Sequence, residues 1–136
     1  VAKHSAYRLL HVLQHGDDSW HVVWGAVRWQ PRVDVCRNDD TLFVQVEVPG
    51  VDDDALRLHF EPGELVIEGH RERPQFPGPV QCLRMEAEYG PFRRTITLPP
   101  DADGEHIVAR YQAGVLLVSI PIRKPTPPQS VRVNID

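Results

Sequence analysis

The chain has 136 residues, 41% hydrophobic and 25% charged, proportions that suit one globular domain with a core of its own and leave no apolar run near the ~18 residues of a membrane-spanning helix. Two cysteines, Cys36 and Cys82, with no paired Cys/His spacing around them, form neither a disulfide framework nor a structural zinc site and fit a reducing, cytoplasmic setting. The net charge of −4 divides as +1 over residues 1–29, −7 over 30–120 and +2 over 121–136, and an acidic body argues against binding nucleic acid through clustered Lys and Arg.

Residues 1–28 read as a region apart. The apolar stretch after Lys3 and Arg8 is broken by His11, Gln14 and His15, so it is not expected to be a secretory signal. A short amphipathic helix is expected over residues 7–13, followed by an apolar patch of Trp20, Val22, Val23, Trp24 and Val27. So short a segment buries little by itself, and such a patch beside a complete domain points to an interaction surface.

From residue 29 onward the 13 prolines leave intervals too short for most helices but suited to strands. In Thr41-Leu42-Phe43-Val44-Gln45-Val46-Glu47-Val48 the residues Leu42, Val44, Val46 and Val48 share one side, as period 2 requires of a half-buried strand. Val33–Arg37 precedes it across Asn38-Asp39-Asp40, a turn that predicts a hairpin. Residues 56–60 alternate again, and Glu61-Pro62-Gly63-Glu64 turns the chain into residues 65–70, a second hairpin. A strand over 92–98 ends at Pro99-Pro100, and the last pair, 107–112 and 115–120, is joined by Ala113-Gly114. About seven strands of this kind predict an all-β, immunoglobulin-like two-sheet sandwich.

Two further segments stand outside that pattern. Residues 73–88 make a loop of about sixteen residues, a length that in a compact domain generally carries a function or an element of its own. The tail runs through Lys124-Pro125-Thr126-Pro127-Pro128-Gln129, an extended spacer, to the alternating Val131, Val133 and Ile135. Apolar side chains at alternate positions of a tethered strand have the form of a peptide that adds to a sheet edge. Residues 56–60 and 107–111 offer such edges, and an exposed edge has to be covered; the tail of a neighbouring subunit would cover it.

No catalytic constellation emerges. His4, His11 and His15 share a face only if the segment is helical, and a solvated or client-facing surface is the simpler reading. Cys36 and Cys82 read as buried structural thiols. Asp52-Asp53-Asp54 lacks the Gly and distal Glu of a calcium loop and reads as a turn that caps the next element. Phosphate-binding and nucleophile-elbow motifs are absent from the sequence, so neither an enzyme nor a cofactor is expected.

Several ordered motifs then carry a resemblance. Trp29-Gln30-Pro31-Arg32-Val33-Asp34-Val35, Val46-Glu47-Val48-Pro49-Gly50-Val51, Leu65-Val66-Ile67-Glu68-Gly69, Glu88-Tyr89-Gly90-Pro91-Phe92-Arg93-Arg94, Leu98-Pro99 and Ala113-Gly114-Val115-Leu116 resemble the successive signatures of the small heat shock proteins in their α-crystallin domain. The resemblance covers residues 29–122 and the tail 123–136. It implies an ATP-independent holdase, which binds unfolding client proteins and keeps them from aggregating, and which assembles with itself rather than with nucleic acid or membrane.

Carried over by position, the long loop resembles the one that, in bacterial and plant members, lends a strand to the partner's sheet. Val80, Cys82, Leu83, Met85 and Arg94 would then form a dimer interface. The tail resembles an Ile-x-Ile/Val motif, matched best by Val133-Asn134-Ile135 and alternatively by Val131-Arg132-Val133. It would dock in a groove lined by Leu56, Leu58, Phe60, Ile107, Ala109 and Tyr111. The apolar patch at residues 20–27 beside the acidic body fits client binding. A β-sandwich co-chaperone for one defined partner is the alternative from another class.

Overall fold

The structure, a computed structural model, describes residues 8–10, 12–13, 29–125, 128 and 130–135. Two sheets stack face to face, as the alternating strands predict. The first is ordered β1-β8-β9-β4-β3 and the second β2-β5-β6-β7, with β1 Arg8–Leu10, β2 Val12–Leu13, β3 Val33–Arg37, β4 Thr41–Glu47, β5 Leu56–Glu61, β6 Glu64–Arg71, β7 Gly90–Thr97, β8 Val108–Gln112 and β9 Val115–Pro121. Every pairing is antiparallel except that of β2 with β5, which is parallel.

The core lies where alternation places it. Leu42, Val44 and Val46 of β4 meet Leu116, Val118 and Ile120 of β9 in register within the first sheet, and all six are buried. Across from them the second sheet contributes Leu58, Leu65, Ile67, Phe92 and Ile96, also buried. A run of this kind removes several hundred square ångströms of apolar surface from water, on the order of 25 cal/mol for each. At Gly69 the packing leaves no room for a side chain, since a Cβ there would lie 2.4 Å from the Phe92 ring and 2.6 Å from the Ala55 carbonyl oxygen.

The hairpin turns follow from local chemistry. The Asn38 side-chain oxygen accepts from the Asp40 and Thr41 amides at 2.9 and 2.8 Å, closing the β3–β4 turn. Ala113 and Gly114 take φ of +51° and +77°. Two successive left-handed residues make a two-residue turn whose twist suits the right-handed twist of β8 and β9. Asp52 initiates a turn, with its carbonyl accepting from the Ala55 amide at 2.9 Å, but its side chain makes no cap bond to the short 3-10 segment Asp53–Ala55.

Three expectations need correction. Arg8–Leu10 and Val12–Leu13 are strands rather than part of a helix, because β8 and β5 offer unfilled backbone groups that a short extended segment satisfies. That brings the strands to nine among the described residues instead of about seven. Cys36 and Cys82 are exposed, not buried. Cys36 stands opposite Phe43, on the outward side of β3, whereas Val33 and Val35 stand opposite the buried Val46 and Val44; Cys82 lies in the solvent-exposed loop.

Candidate functional site

A two-sheet sandwich has two long seams, and here they differ. Along one, the outer core strands are β8 and β5; along the other they are β3 and β7. The first seam holds the six groove residues expected from the sequence. Leu56, Leu58 and Ala109 are buried at its floor, while Phe60, Ile107 and Tyr111 are partly buried and pack against the core. Phe60 lies over Gly104, where a Cβ would come within 1.9 Å of the ring.

The Tyr111 hydroxyl sits 2.8 Å from the carbonyl oxygens of both Val48 and Val51 and donates to one of them at a time. Burial pushes its pKa above the ordinary value, with Asp52 and Asp53 adding to the shift, so the phenol keeps its proton for that bond. The seam is not bare: β1 pairs with β8 and β2 with β5. The two edges expected to receive a neighbour's tail therefore carry short N-terminal strands of the same chain in this structure.

The second seam is bridged at one end, where Trp29 pairs in parallel with Phe92 of β7, and is open at Val35. β3 ends its sheet, and Val35, on the core-facing side, is 47% exposed. Arg94 stands opposite Ile67 on the inward side of β7, a costly place for a charge unless it finds partners. Its Nη1 donates to the Gln30 side-chain oxygen at 3.5 Å. The neighbouring Arg93 faces outward and pairs with Glu68 at 3.3 Å.

Beside this seam hangs the long loop. Residues 72–89 form no strand within the chain, and residues 72–88 are exposed throughout. Four large apolar side chains point into solvent there: Phe76, Val80, Leu83 and Met85, with Leu83 at 89%. Four such side chains on one loop are more than a monomer normally leaves uncovered.

The base of the loop is fastened by a cluster that sequence reasoning missed. Arg71, at the end of β6, donates from Nε to the Glu88 carbonyl at 2.8 Å and from Nη2 to the same oxygen. Its Nη1 donates to the Pro49 carbonyl at 3.2 Å, and its guanidinium lies 4.1 Å from the Trp29 ring centroid. Trp29 in turn donates from Nε1 to the Gly90 carbonyl at 3.0 Å and packs on Phe92 with centroids 4.9 Å apart. The Tyr89 ring receives Arg71 and Arg73, each at 5.5 Å. Trp29 and Arg71 both fall in or beside the quoted motifs, which was the available signal.

The remaining site expectations divide plainly. Val131, Val133 and Ile135 are solvent-exposed, Ile135 at 92%, and belong to no regular structure. Trp20, Val22, Val23, Trp24 and Val27 lie outside the described residues, as do His4, His11 and His15. Among the described residues no helix is long and apolar enough to cross a membrane.

A sandwich with one filled seam, one partly open seam and a long apolar loop agrees with the motifs quoted above, and the family comparison decides the matter. The Hsp20/alpha crystallin family model matches residues 34–136. The chain belongs to the Hsp20/alpha crystallin family. Among its relatives, small heat shock protein C4 of Rickettsia felis is 30% identical over 104 residues, covering 76% of this chain and 64% of that protein. Heat shock protein 16 of Schizosaccharomyces pombe is 36% identical over 93 residues, covering 67% of this chain and 65% of that one. The chain thus spans a little under two thirds of the length of these relatives. A solved small heat-shock protein from Xylella fastidiosa superimposes with a TM-score of 0.71 at 31% identity, covering 80% of this chain and all of that one. The fold is that of the small heat shock proteins.

Proposed function

We propose that this chain is an ATP-independent holdase, which captures unfolding proteins and prevents their aggregation without chemistry of its own. The observation that carries this reading is the small heat shock protein fold itself, an acidic β-sandwich body preceded in sequence by the apolar patch at residues 20–27. An unfolding client exposes apolar surface that otherwise associates with its own kind, and a soluble acidic body that offers competing apolar surface interrupts that association. Residues 1–28 are the client-binding and assembly region, with Trp20, Val22, Val23, Trp24 and Val27 as its contacts. Residues 29–122 are the α-crystallin body, and 123–136 a tail for assembly.

The working unit is a dimer. An open strand with an uncovered inward valine accepts a further strand, and the loop that carries Val80, Cys82, Leu83 and Met85 supplies one from the partner, with Arg94 at the junction. The tail motif Val131, Val133 and Ile135 then extends the assembly by entering the β5/β8 seam of another copy. Higher assembly has a parallel in the Xylella fastidiosa relative, which is described as having a distinct high order structure. Two exposed thiols, Cys36 and Cys82, suit the reducing cytoplasm.

Light scattering from a thermolabile enzyme heated with this protein, without nucleotide, tests the proposal. Suppression near equimolar subunits, weakened by Trp20→Ser with Trp24→Ser in a folded variant, is the expected result. A folded sample that suppresses nothing at any ratio overturns the holdase reading in favour of a co-chaperone for one partner.

A further inference from the structure

The two free thiols lie on the two elements of the proposed strand exchange, Cys36 on the edge strand β3 and Cys82 in the long loop, and both are exposed. Whether they meet depends on register, and the side chains of the two segments favour one. Val33 and Val35 stand on the core side of β3, while Asp34 and Cys36 stand on the outward side. A segment added beside them keeps that parity, so placing Leu83 and Met85 on the core side puts Cys82, Arg84 and Glu86 outward.

Antiparallel alignment of Val35 with Leu83 then brings Val33 to Met85, Arg32 to Glu86, Asp34 to Arg84 and Cys36 to Cys82. Two apolar pairs and two pairs of opposite charge are satisfied together. Sliding by two residues sets Arg32 against Arg84 in one direction and Asp34 against Glu86 in the other. Sliding by one turns Arg84 or Glu86 toward the core, a costly place for a charge.

The ladder on the other side of β3 fixes the geometry of the thiol pair. The Glu47 amide donates to the Arg32 carbonyl at 3.1 Å and the Asn38 amide to the Thr41 carbonyl at 3.0 Å, so the even-numbered residues of β3 turn their backbone groups to β4. Val33, Val35 and Arg37 turn theirs to the open edge. An incoming strand therefore hydrogen-bonds at Val35 with Leu83, and Cys36 with Cys82 is a non-hydrogen-bonded pair, where Cα atoms stand ~4.5 Å apart. A disulfide accepts Cα separations of ~4.4–6.8 Å.

We infer that Cys36 of one protomer and Cys82 of its partner form a redox-responsive pair, reduced in the exchangeable dimer and joined under oxidising conditions, which locks the exchanged strand in place. This rests on the strand exchange proposed above. Oxidised glutathione, a disulfide oxidant, supplies the chemistry. One thiolate attacks it, expelling a glutathione and leaving a mixed disulfide; the facing thiolate then expels the second glutathione. Each protein disulfide thus yields two molecules of reduced glutathione, which carry the two cysteine protons. Reciprocal exchange about a two-fold axis gives the dimer two such bonds.

The test uses the full chain, with the dimer read by sedimentation in dithiothreitol and the covalent bond by electrophoresis without reductant after exposure to oxidised glutathione. The parent is expected to become a covalent dimer that dithiothreitol reverses. Cys36→Ser and Cys82→Ser, each alone, should lose that dimer. An equimolar mixture of the two should regain it in about half of the chains, the share that random pairing places in mixed dimers. Asp34→Arg sets like charges opposite each other and is expected to weaken the reduced dimer about tenfold, with Arg84→Asp in the same chain restoring it.

A reduced dimer that oxidised glutathione does not link overturns the thiol pair and leaves the exchange standing. Covalent dimers as abundant in either single variant as in the parent overturn the register. A folded chain that stays monomeric in both conditions overturns the exchange and the inference together.

Discussion

Arg71→Ala isolates the fastening of the long loop. The side chain reaches two carbonyl groups, those of Glu88 and Pro49, and covers the Trp29 ring at 4.1 Å. Hydrogen bonds from a charged donor contribute about 1.5–3 kcal/mol each when buried, but Arg71 is only partly buried, and about 1 kcal/mol for each carbonyl is the better figure. Stacking on the indole adds about 0.5–1 kcal/mol, so the variant is expected to lose about 2–3 kcal/mol. With a urea slope of roughly 1.5 kcal/mol per molar, the unfolding midpoint should fall by about 1–2 M at fixed protein concentration. Arg71→Lys keeps a cation near the ring but cannot span both carbonyls, so it should recover about half the loss. Limited trypsin digestion reads the same event locally, since freeing the loop should speed cleavage after the exposed Arg73 and Arg84. A midpoint unchanged within about 0.3 M, less than the smallest shift the slope allows, together with unaltered cleavage, would refute the clamp.

Deleting residues 74–85 removes the strand that the open β3 edge is proposed to receive, and the expected product is a folded monomer by sedimentation; persistent dimers contradict the exchange. Gly69→Ala forces a methyl against the Phe92 ring and the Ala55 carbonyl, at a cost of about 1–3 kcal/mol of overpacking, measured as a lower urea midpoint, and an unchanged midpoint would contradict the close approach. Asp103 accepts from His106 Nδ1 at 2.7 Å and from the Glu105 amide at 3.0 Å, the His106 bond being the larger cause of a pKa held below the ordinary 3.8. A lowered folded value means the unfolded chain takes up the proton first, so this contribution is present above pH 3.8 and disappears as pH falls through the folded value. The stability difference between parent and Asp103→Asn should therefore vanish in strong acid. A difference that persists there would exclude this linkage.

The seven strands of the body were legible because each has one dry side. Leu42, Val44 and Val46 alternate with solvent-facing neighbours, and parity alone places them in the core. The same parity, carried into β3, sets Cys36 outward beside the inward Val35, so its exposure was readable once the β3–β4 register was drawn. β1 and β2 were not legible. Leu9, Leu10, Val12 and Leu13 fit one face of a helix as well as a bent strand, and what decides between them is the vacant edges of β8 and β5, which no local pattern contains. The Arg71 clamp was equally hidden, because its acceptors are main-chain carbonyls at positions 49 and 88 that every residue carries alike.

The pairing of β4 with β9 has a kinetic consequence. Hairpins β3–β4, β5–β6 and β8–β9 join neighbours in sequence and close in microseconds, but Val44 meets Val118 only after most of the domain's length has been looped back, a far slower search. Until then Val44, Val46, Leu116 and Val118 stand unpaired in water. The unfolded chain therefore passes through a stage in which it displays the same kind of surface that its folded form is proposed to capture.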